Sequence, residues 1–390
     1  VLTAMDAKID AELQVSDLSW LNLLIRNPFD LAVFGSGTAA ADLSIRSGWF
    51  AEGTALRIRP QGLRVQVLDY VAEGDGQITV EVARGGATPD LVLKASLEGG
   101  NLRRRDEQAS VVESVALNVA AEARNVRIGE DARVSAIDLR IPSARISDMS
   151  VYNQFFPEKT PLRLSGGEAS LTADIHLERE AAGGYLRFQT KGLRSQLGEQ
   201  QLAGELSLDI TLAGGVPAEM EFDISGSSLR LDGFKVAGEY ASHDQSGWRA
   251  VLDLNKGRVV WKKPIQLELE AGIAMNDSRP IVAILANETG SHGWVEKMLT
   301  VQDVKGEATL SAKSRQLVVP YAFAGSDKID VGVKGLIDDQ TREGVFLARF
   351  RKLDGILKVK DDRKNFDILR AREKFDRYQP GETGVGLKAD

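Results

Sequence analysis

The clearest order in the chain is an alternation of apolar and polar positions with a period of two. Ala7, Ile9, Ala11, Leu13 and Val15 interleave with Lys8, Asp10, Glu12 and Gln14, and Ile78, Val80 and Val82 with Gln77, Thr79 and Glu81. Met220, Phe222 and Ile224 alternate with Glu219, Glu221 and Asp223; Ile265, Leu267, Leu269 and Ala271 alternate with Gln266, Glu268 and Glu270. Successive side chains of a strand point to opposite faces, so each run predicts a strand with one apolar and one wet face. That is the habit of antiparallel sheets. Gly85-Gly86, Gly99-Gly100, Gly183-Gly184, Gly214-Gly215 and Asp338-Asp339 are the expected turns.

Helical signals are few. Ser16 or Asp17 can cap a stretch through Trp20, Leu21, Leu24 and Ile25, ended by Pro28; Ser147 or Asp148 can cap Met149 to Phe156, ended by Pro157. Ser278 before Arg279-Pro280 opens a third through Leu285, and a fourth is expected from Phe366 to Tyr378. None is long enough to build a helical layer, so the expected class is mostly β: an elongated, curled antiparallel sheet with a few short helices.

The strands recur as a repeat of roughly 130 residues. Asp17-Leu18-Ser19 with Asn22 is answered by Asp148-Met149-Ser150 with Asn153, and Ala41-Asp42-Leu43 by Ala173-Asp174-Ile175. Leu56 to Val67 aligns without a gap on Leu186 to Leu197, with six of twelve positions identical, among them Gly62 and Gly192 with the Leu-Arg that follows. Gly76 to Val82 matches Gly204 to Ile210 by residue class, and Gly167-Glu168-Ala169 recurs as Gly306-Glu307-Ala308. The expected organisation is therefore a first unit over 1–131, a second over 132–265 and a partial third over 266–390 with a basic end. Units joined edge to edge hide their strand edges, and a long twisted sheet curls, which predicts an apolar trough.

These features resemble the AsmA-like superfamily of bacterial envelope proteins, of AsmA, TamB, YdbH and YhdP type. The likeness lies in the Asp-Leu-Ser and Asp-Met-Ser helix starts, the Gly-Glu-Ala-Ser-Leu-Thr-Ala strand opening at Gly167 to Ala173, and the expected Gly-Leu-Arg turns at Gly62 and Gly192. The resemblance implies a repeating β-groove held in the periplasm by an inner-membrane anchor and engaged in moving phospholipid between the inner and outer membranes. It also implies inner- and outer-membrane envelope proteins as partners. No anchor is visible here: the most apolar stretch, Leu18 to Gly35, is broken by Arg26, Pro28 and Asp30. With patterned sequence beginning at once after Val1, a mature or partial chain is expected.

Under a groove reading, the lining positions of the first unit are Leu56, Ile58, Leu63, Val65, Val67, Ile78, Val80 and Val82. Those of the second are Leu186, Phe188, Leu193, Leu197, Leu206, Leu208 and Ile210, with Phe222 and Ile224 beyond. The expected ligand is phospholipid or another acyl lipid, because an aliphatic lining offers dry surface without directional contacts. The same residues facing one another would instead make a closed sandwich core. A structural or assembly module, with a sheet edge receiving a client strand, is then the competing function. A polysaccharide-active enzyme would need paired carboxylates and aromatic platforms, which five scattered tryptophans do not supply.

Composition narrows the chemistry. The 390 residues contain no cysteine and three histidines, which excludes disulfide, thiolate-metal and cysteine-nucleophile chemistry. His176 falls on a strand facing the wet side and His243 and His292 in loops, none at ligand spacing, so no metal and no cofactor is expected. No Gly-x-Ser-x-Gly, Gly-Lys-Ser/Thr or His-Glu-x-x-His motif is present, and the expectation is a non-enzyme. The net charge of −7 argues against nucleic acid as a partner. It is unevenly spread: Arg349 to Tyr378 holds 11 Lys/Arg against 6 Asp/Glu, a net +5, against −12 elsewhere. This basic stretch is either a solvated, internally paired helix or a contact for a membrane surface. Arg103-Arg104-Arg105 is expected to be a solvated loop.

Overall fold

The computed structural model describes residues 5–24, 30–106, 110–127, 134–160, 162–197, 200–237, 247–262, 264–278, 301–326, 329–350, 353–361 and 363–381. Strand content of 73% against 7% helix makes the chain mostly β, and pairing joins the strands into one antiparallel sheet of 22 strands, not closed into a barrel. Two compact units are distinguishable: 1–147 with 170–187 and 212–222, and 148–169 with 188–211 and 223–390.

The first unit is a meander of long strands: β1 (Ala7–Val15), β2 (Ala32–Arg46), the two-residue β3 (Trp49–Phe50), β4 (Ala55–Val67), β5 (Tyr70–Arg84), β6 (Asp90–Arg104), β7 (Ser110–Ala123) and β8 (Val134–Ile146). Directly opposed residues share a face, and the registers align the apolar positions across the strands. Ala39 opposes Ile58, Ile58 opposes Ile78, Ile78 opposes Ala95 and Ala95 opposes Val119. One step along the strands, Ala41, Leu56, Val80, Leu93, Ala121 and Ile137 form a parallel row. The period-two sequence thus becomes a continuous apolar ladder on one face.

The chain continues through β9 (Leu162–Glu178), β10 (Ala182–Leu197), β11 (Gln200–Leu212), the short β12 (Gly214–Val216) and β13 (Glu221–Asp223), and β14 (Ser228–Ala237). It ends with β15 (Arg249–Val260), β16 (Gln266–Asp277), β17 (Gln302–Lys313), β18 (Gln316–Gly325), β19 (Ile329–Ile337), β20 (Arg342–Phe350), β21 (Leu353–Lys360), β22 (Arg363–Asp367) and one α-helix, α1 (Ala371–Arg377). From β14 to β22 each strand pairs with the next in sequence.

Several local expectations are corrected. Gly62 and Gly192 do not turn the chain. They lie inside β4 and β10 in the left-handed region (φ +66° and +62°), and at Gly62 the register of β4 on β5 slips between Ile58 and Leu63. A bulge admits one extra residue with φ > 0, which glycine adopts without a Cβ clash, so a long strand bends where a turn is expected. Gly99-Gly100 likewise marks a bulge within β6, while Gly183-Gly184 and Gly214-Gly215 lie in strands β10 and β12. Asp338 does make a turn, accepting the amides of Gln340 and Thr341.

The first two helices are 3-10 turns, Ser19–Leu24 and Met149–Phe155. The fourth is shorter than expected. Phe366 pairs with Leu357 in β22, Arg370 takes φ +51°, and only Ala371–Arg377 is helical. The third, Ser278 to Leu285, falls outside the described residues beyond Ser278, as do His243, His292 and most of the glycine-rich tail.

Candidate functional site

The repeat seen in the sequence is a hydrogen-bonded module. Asp17 accepts the Ser19 amide at 2.8 Å and the Ser19 hydroxyl at 2.7 Å; Asp148 accepts those of Ser150 at 2.9 and 2.7 Å. Both carboxyls are held below the usual range, by the hydroxyl and amide of Ser19 and by the amide and hydroxyl of Ser150. Asn22 then clamps Val33, accepting its amide at 2.7 Å and donating to its carbonyl at 3.0 Å. Asn153 clamps Leu164 in the same way, at 2.8 Å in both directions. A 3-10 helix of six or seven residues cannot hold itself; the Asn side chain fastens it to the first residues of the following strand.

In the first unit this turn covers the apolar face. Leu18 and Leu21 have no exposure, and the Leu18 amide donates to the Gly35 carbonyl at 2.8 Å. Of the expected lining residues there, Ile58, Leu63, Val65, Ile78 and Val82 are 0–5% exposed, and Leu56, Val67 and Val80 are half-buried. Leu97 and Val115 add two more fully buried side chains. A void among Val80, Leu91, Leu93, Ala121, Ala123 and Val134 measures about 10 Å³, at the lower limit for one water. This face is a packed core.

In the second unit the ladder is differently covered. Leu208 opposes Leu229, Leu229 opposes Leu252, and Leu252 opposes Ile273, all half-buried. A neighbouring row runs Leu254, Ala271, Ala308, Ala322, Val333, Phe346, Leu357 and Phe366. Within that row Ala271, Ala308 and Leu357 are buried at 2%, 6% and 6%, and a further patch of the face is dry. There Trp248, Ala250, Met275, Val301, Val304 and Ile329 cluster, and the Trp248 indole donates to the Asp277 carbonyl at 2.8 Å.

The expected lining residues of the second repeat divide accordingly. Leu206 and Leu208 belong to this ladder, opposite Leu231 and Leu229. Leu193 is buried at 4%; Leu186, Phe188, Leu197, Ile210, Phe222 and Ile224 are half-buried. Phe188 meets Tyr152 edge to face at 6.3 Å, and Ile224 lies over Gly257. Leu229, Leu231, Leu252, Leu254, Ile273 and Leu310 are ladder positions that sequence reasoning did not single out, although each sits in a visible alternation. No sequence signal pointed to Trp248.

The opposite face of β18 to β21 carries α1. Phe375 (0% exposed) fills the hollow over Gly332, where a β-carbon would lie 2.6 Å from the ring. Val345, Leu347 and Ile356 complete that cluster. Lys334 reaches the helix end, donating to the carbonyls of Asp376 and Tyr378 at 3.1 Å each, and stands 5.0 Å from the Phe375 ring centre. Burial pulls its ammonium below the usual lysine range.

Several charged side chains outside the apolar faces are locally paired. Arg103 and Arg104 end β6 rather than forming a loop, and Arg103 bridges to Glu73 at 3.0 Å. His176 is exposed on β9, 2.7 Å from Asp138 and 3.3 Å from Glu178; the hydrogen bond to Asp138 raises its pKa. Among the described residues, no group of three or more His, Asp or Glu side chains is arranged to hold a metal ion. No described helix is long and apolar enough to cross a membrane.

No known family model matches this chain. Neither a curated protein nor a solved structure matches it.

Proposed function

We propose that this chain is a non-enzymatic acyl-lipid carrier, a segment of a conduit that shields phospholipid tails on the apolar face of its sheet while headgroups stay wet. The observation that carries the reading is the apolar ladder of the second unit, in register from Leu206 and Leu208 on β11 to Leu357 and Phe366 on β21 and β22 and half-buried at Leu208, Leu229, Leu252, Leu254, Ile273, Ala322, Val333 and Phe346. Each methylene moved from water onto such a face is worth about 0.8 kcal/mol, with no directional demand. The resemblance to AsmA-like proteins supports a periplasmic setting, an anchor in the inner membrane and transport between the two membranes.

Native mass spectrometry of the gently purified protein is expected to show bound phospholipid, and labelled phospholipid is expected to load onto the delipidated protein. A protein that is consistently lipid-free and takes up no lipid sinks the reading. Cell fractionation of the full-length gene product tests the periplasmic setting; recovery in the cytoplasm overturns it.

The packed core of the first unit favours a second reading for that part alone. Its ladder is too dry to admit a chain, so it serves as a structural or assembly module of the envelope.

A further inference from the structure

We propose that the rim where the sheet of the second unit ends docks on an anionic phospholipid bilayer through Leu353, Phe366, Ile368 and Leu369, with Arg370 and Arg377 beside them. These four apolar side chains are 60%, 64%, 56% and 72% exposed. They are not scattered. Leu353 opposes Phe350 and Phe366 opposes Leu357, so both continue the apolar ladder to its last strand. Lys364 shares that face of β22 with Phe366, because it opposes Val359. Ile368 and Leu369 extend the rim into the link to α1, and with Leu353 and Arg370 they border an open concavity of about 740 Å³.

The rim is presented rigidly. Asp367 fixes the link by accepting the Leu369 amide at 2.8 Å and pairing with Lys374, and α1 is pinned by Phe375 and Lys334. Exposed apolar groups on a fixed backbone do not simply collapse inward.

Charge selects the occupant. Residues 349–378 carry a net +5 in a chain whose remainder is −12. The acids bordering the concavity are already engaged, Asp354 by Arg349, Asp376 by Arg372 and Glu373 by Arg377. Arg370 and Arg377 share the single carboxylate of Glu373, which leaves the pair a net positive charge, and their side chains remain 80% and 75% exposed. Two copies meeting here would bring like charges together, whereas an anionic bilayer offers phosphate to the arginines and hydrocarbon to the leucines. Docking rests on this rim alone; that it passes lipid to or from the ladder rests on the carrier reading above.

The test is flotation of the intact chain with vesicles of phosphatidylglycerol mixed with phosphatidylcholine, against pure phosphatidylcholine. Binding is expected to the anionic vesicles, to fall at high salt, and to drop on the order of tenfold for Arg370→Gln with Arg377→Gln. Phe366→Ser with Leu369→Ser, both exposed positions, should abolish it with the thermal midpoint unchanged. A wild-type chain that does not float, or a Phe366→Ser/Leu369→Ser chain that floats as well as wild type, overturns the proposal. So does a dimer that those substitutions dissociate, because the rim's occupant is then a second copy, or a protein partner captured through the same residues without vesicle binding. Bound lipid is read separately by native mass spectrometry. A chain that floats but holds no lipid keeps the docking rim and sinks the carrier reading, and one that holds lipid but does not float does the reverse.

Discussion

The two units carry the same kind of apolar ladder to different ends. In the first, Ala39, Ile58, Ile78, Ala95 and Val119 lie in one row at 0–4% exposure; in the second, Leu208, Leu229, Leu252 and Ile273 lie in an equivalent row and stay half-buried. The rows share spacing, strand pairing and aliphatic character. What separates them is cover. The first row's sheet has the Leu18 and Leu21 turn on it and large side chains laid over glycine: Leu63 toward Gly76 and Leu97 toward Gly100. The second row's leucines oppose one another and Ile273 opposes Gly306; Phe234 over Gly204 and the cluster around Trp248 dry only part of that face. Alternation specifies a face, and packing decides whether that face is a core or a surface for something else.

The sharpest way to break this contrast is to place a carboxylate on each face. Leu63→Asp buries a charge with no partner at a fully dry site, and a loss of about 4 kcal/mol or more is expected, seen as a collapsed urea midpoint. Leu252→Asp sits where water already reaches and should cost about 1–2 kcal/mol. Equal costs would mean the two faces are equally closed.

Leu252→Asp combined with Leu269→Asp should remove most bound phospholipid in native mass spectrometry while circular dichroism stays that of the wild type. Full lipid retention by a folded double variant would place any lipid elsewhere.

The paired asparagine clamps offer a smaller, matched comparison. Asn22→Ala leaves the Val33 amide and carbonyl without their partner, and Asn153→Ala does the same at Leu164; each should cost about 1–3 kcal/mol. Asn22→Ala is expected to cost more, because the turn it holds buries Leu18 and Leu21 completely, whereas their counterparts Met149 and Tyr152 are 6% exposed and half-buried. Chemical denaturation of both variants measures the difference, and a reversed order would deny that the first turn is the better-packed cover.

The smallest effect expected is at His176. Asp138, then Glu178, favours the imidazolium, so the folded pKa lies above the 6.5 of the free side chain. The stabilisation is complete below pH 6.5 and is lost as pH rises through the folded value. At this exposed site it amounts to about 0.5 kcal/mol or less. An NMR titration of the ring should give a pKa above 6.5 that returns toward it in Asp138→Asn; no change in that variant would remove Asp138 as the cause.

Much of the fold was legible in the residues. The runs at Ala7–Val15, 77–82 and 266–271 lie in β1, β5 and β16, because a period of two has one structural meaning when turns bound it, whereas the run at 219–224 keeps only Glu221–Asp223 as strand. The Asp-x-Ser and Asn recurrences marked a real module, since its hydrogen bonds are local and each partner is a short polar side chain. Glycine was misread as a turn signal at Gly62, Gly99 and Gly192 because a bulge and a turn ask the same φ > 0 of the backbone. The helix expected from Phe366 was cut short for a tertiary reason: β21 offers Phe366 an edge to pair with, and helix periodicity cannot register a competing strand.

The sequence by itself determined that this is a repeating antiparallel β-protein, which residues share the apolar face, and that cysteine chemistry is absent, because alternation and composition are properties of the chain. Only the tertiary structure decided that the first unit's ladder is a packed core and the second's is half-open, and that the ladder ends in an exposed rim at Leu353 and Phe366. Both depend on which side chains from distant strands come to lie over a face, and strand periodicity carries no record of that.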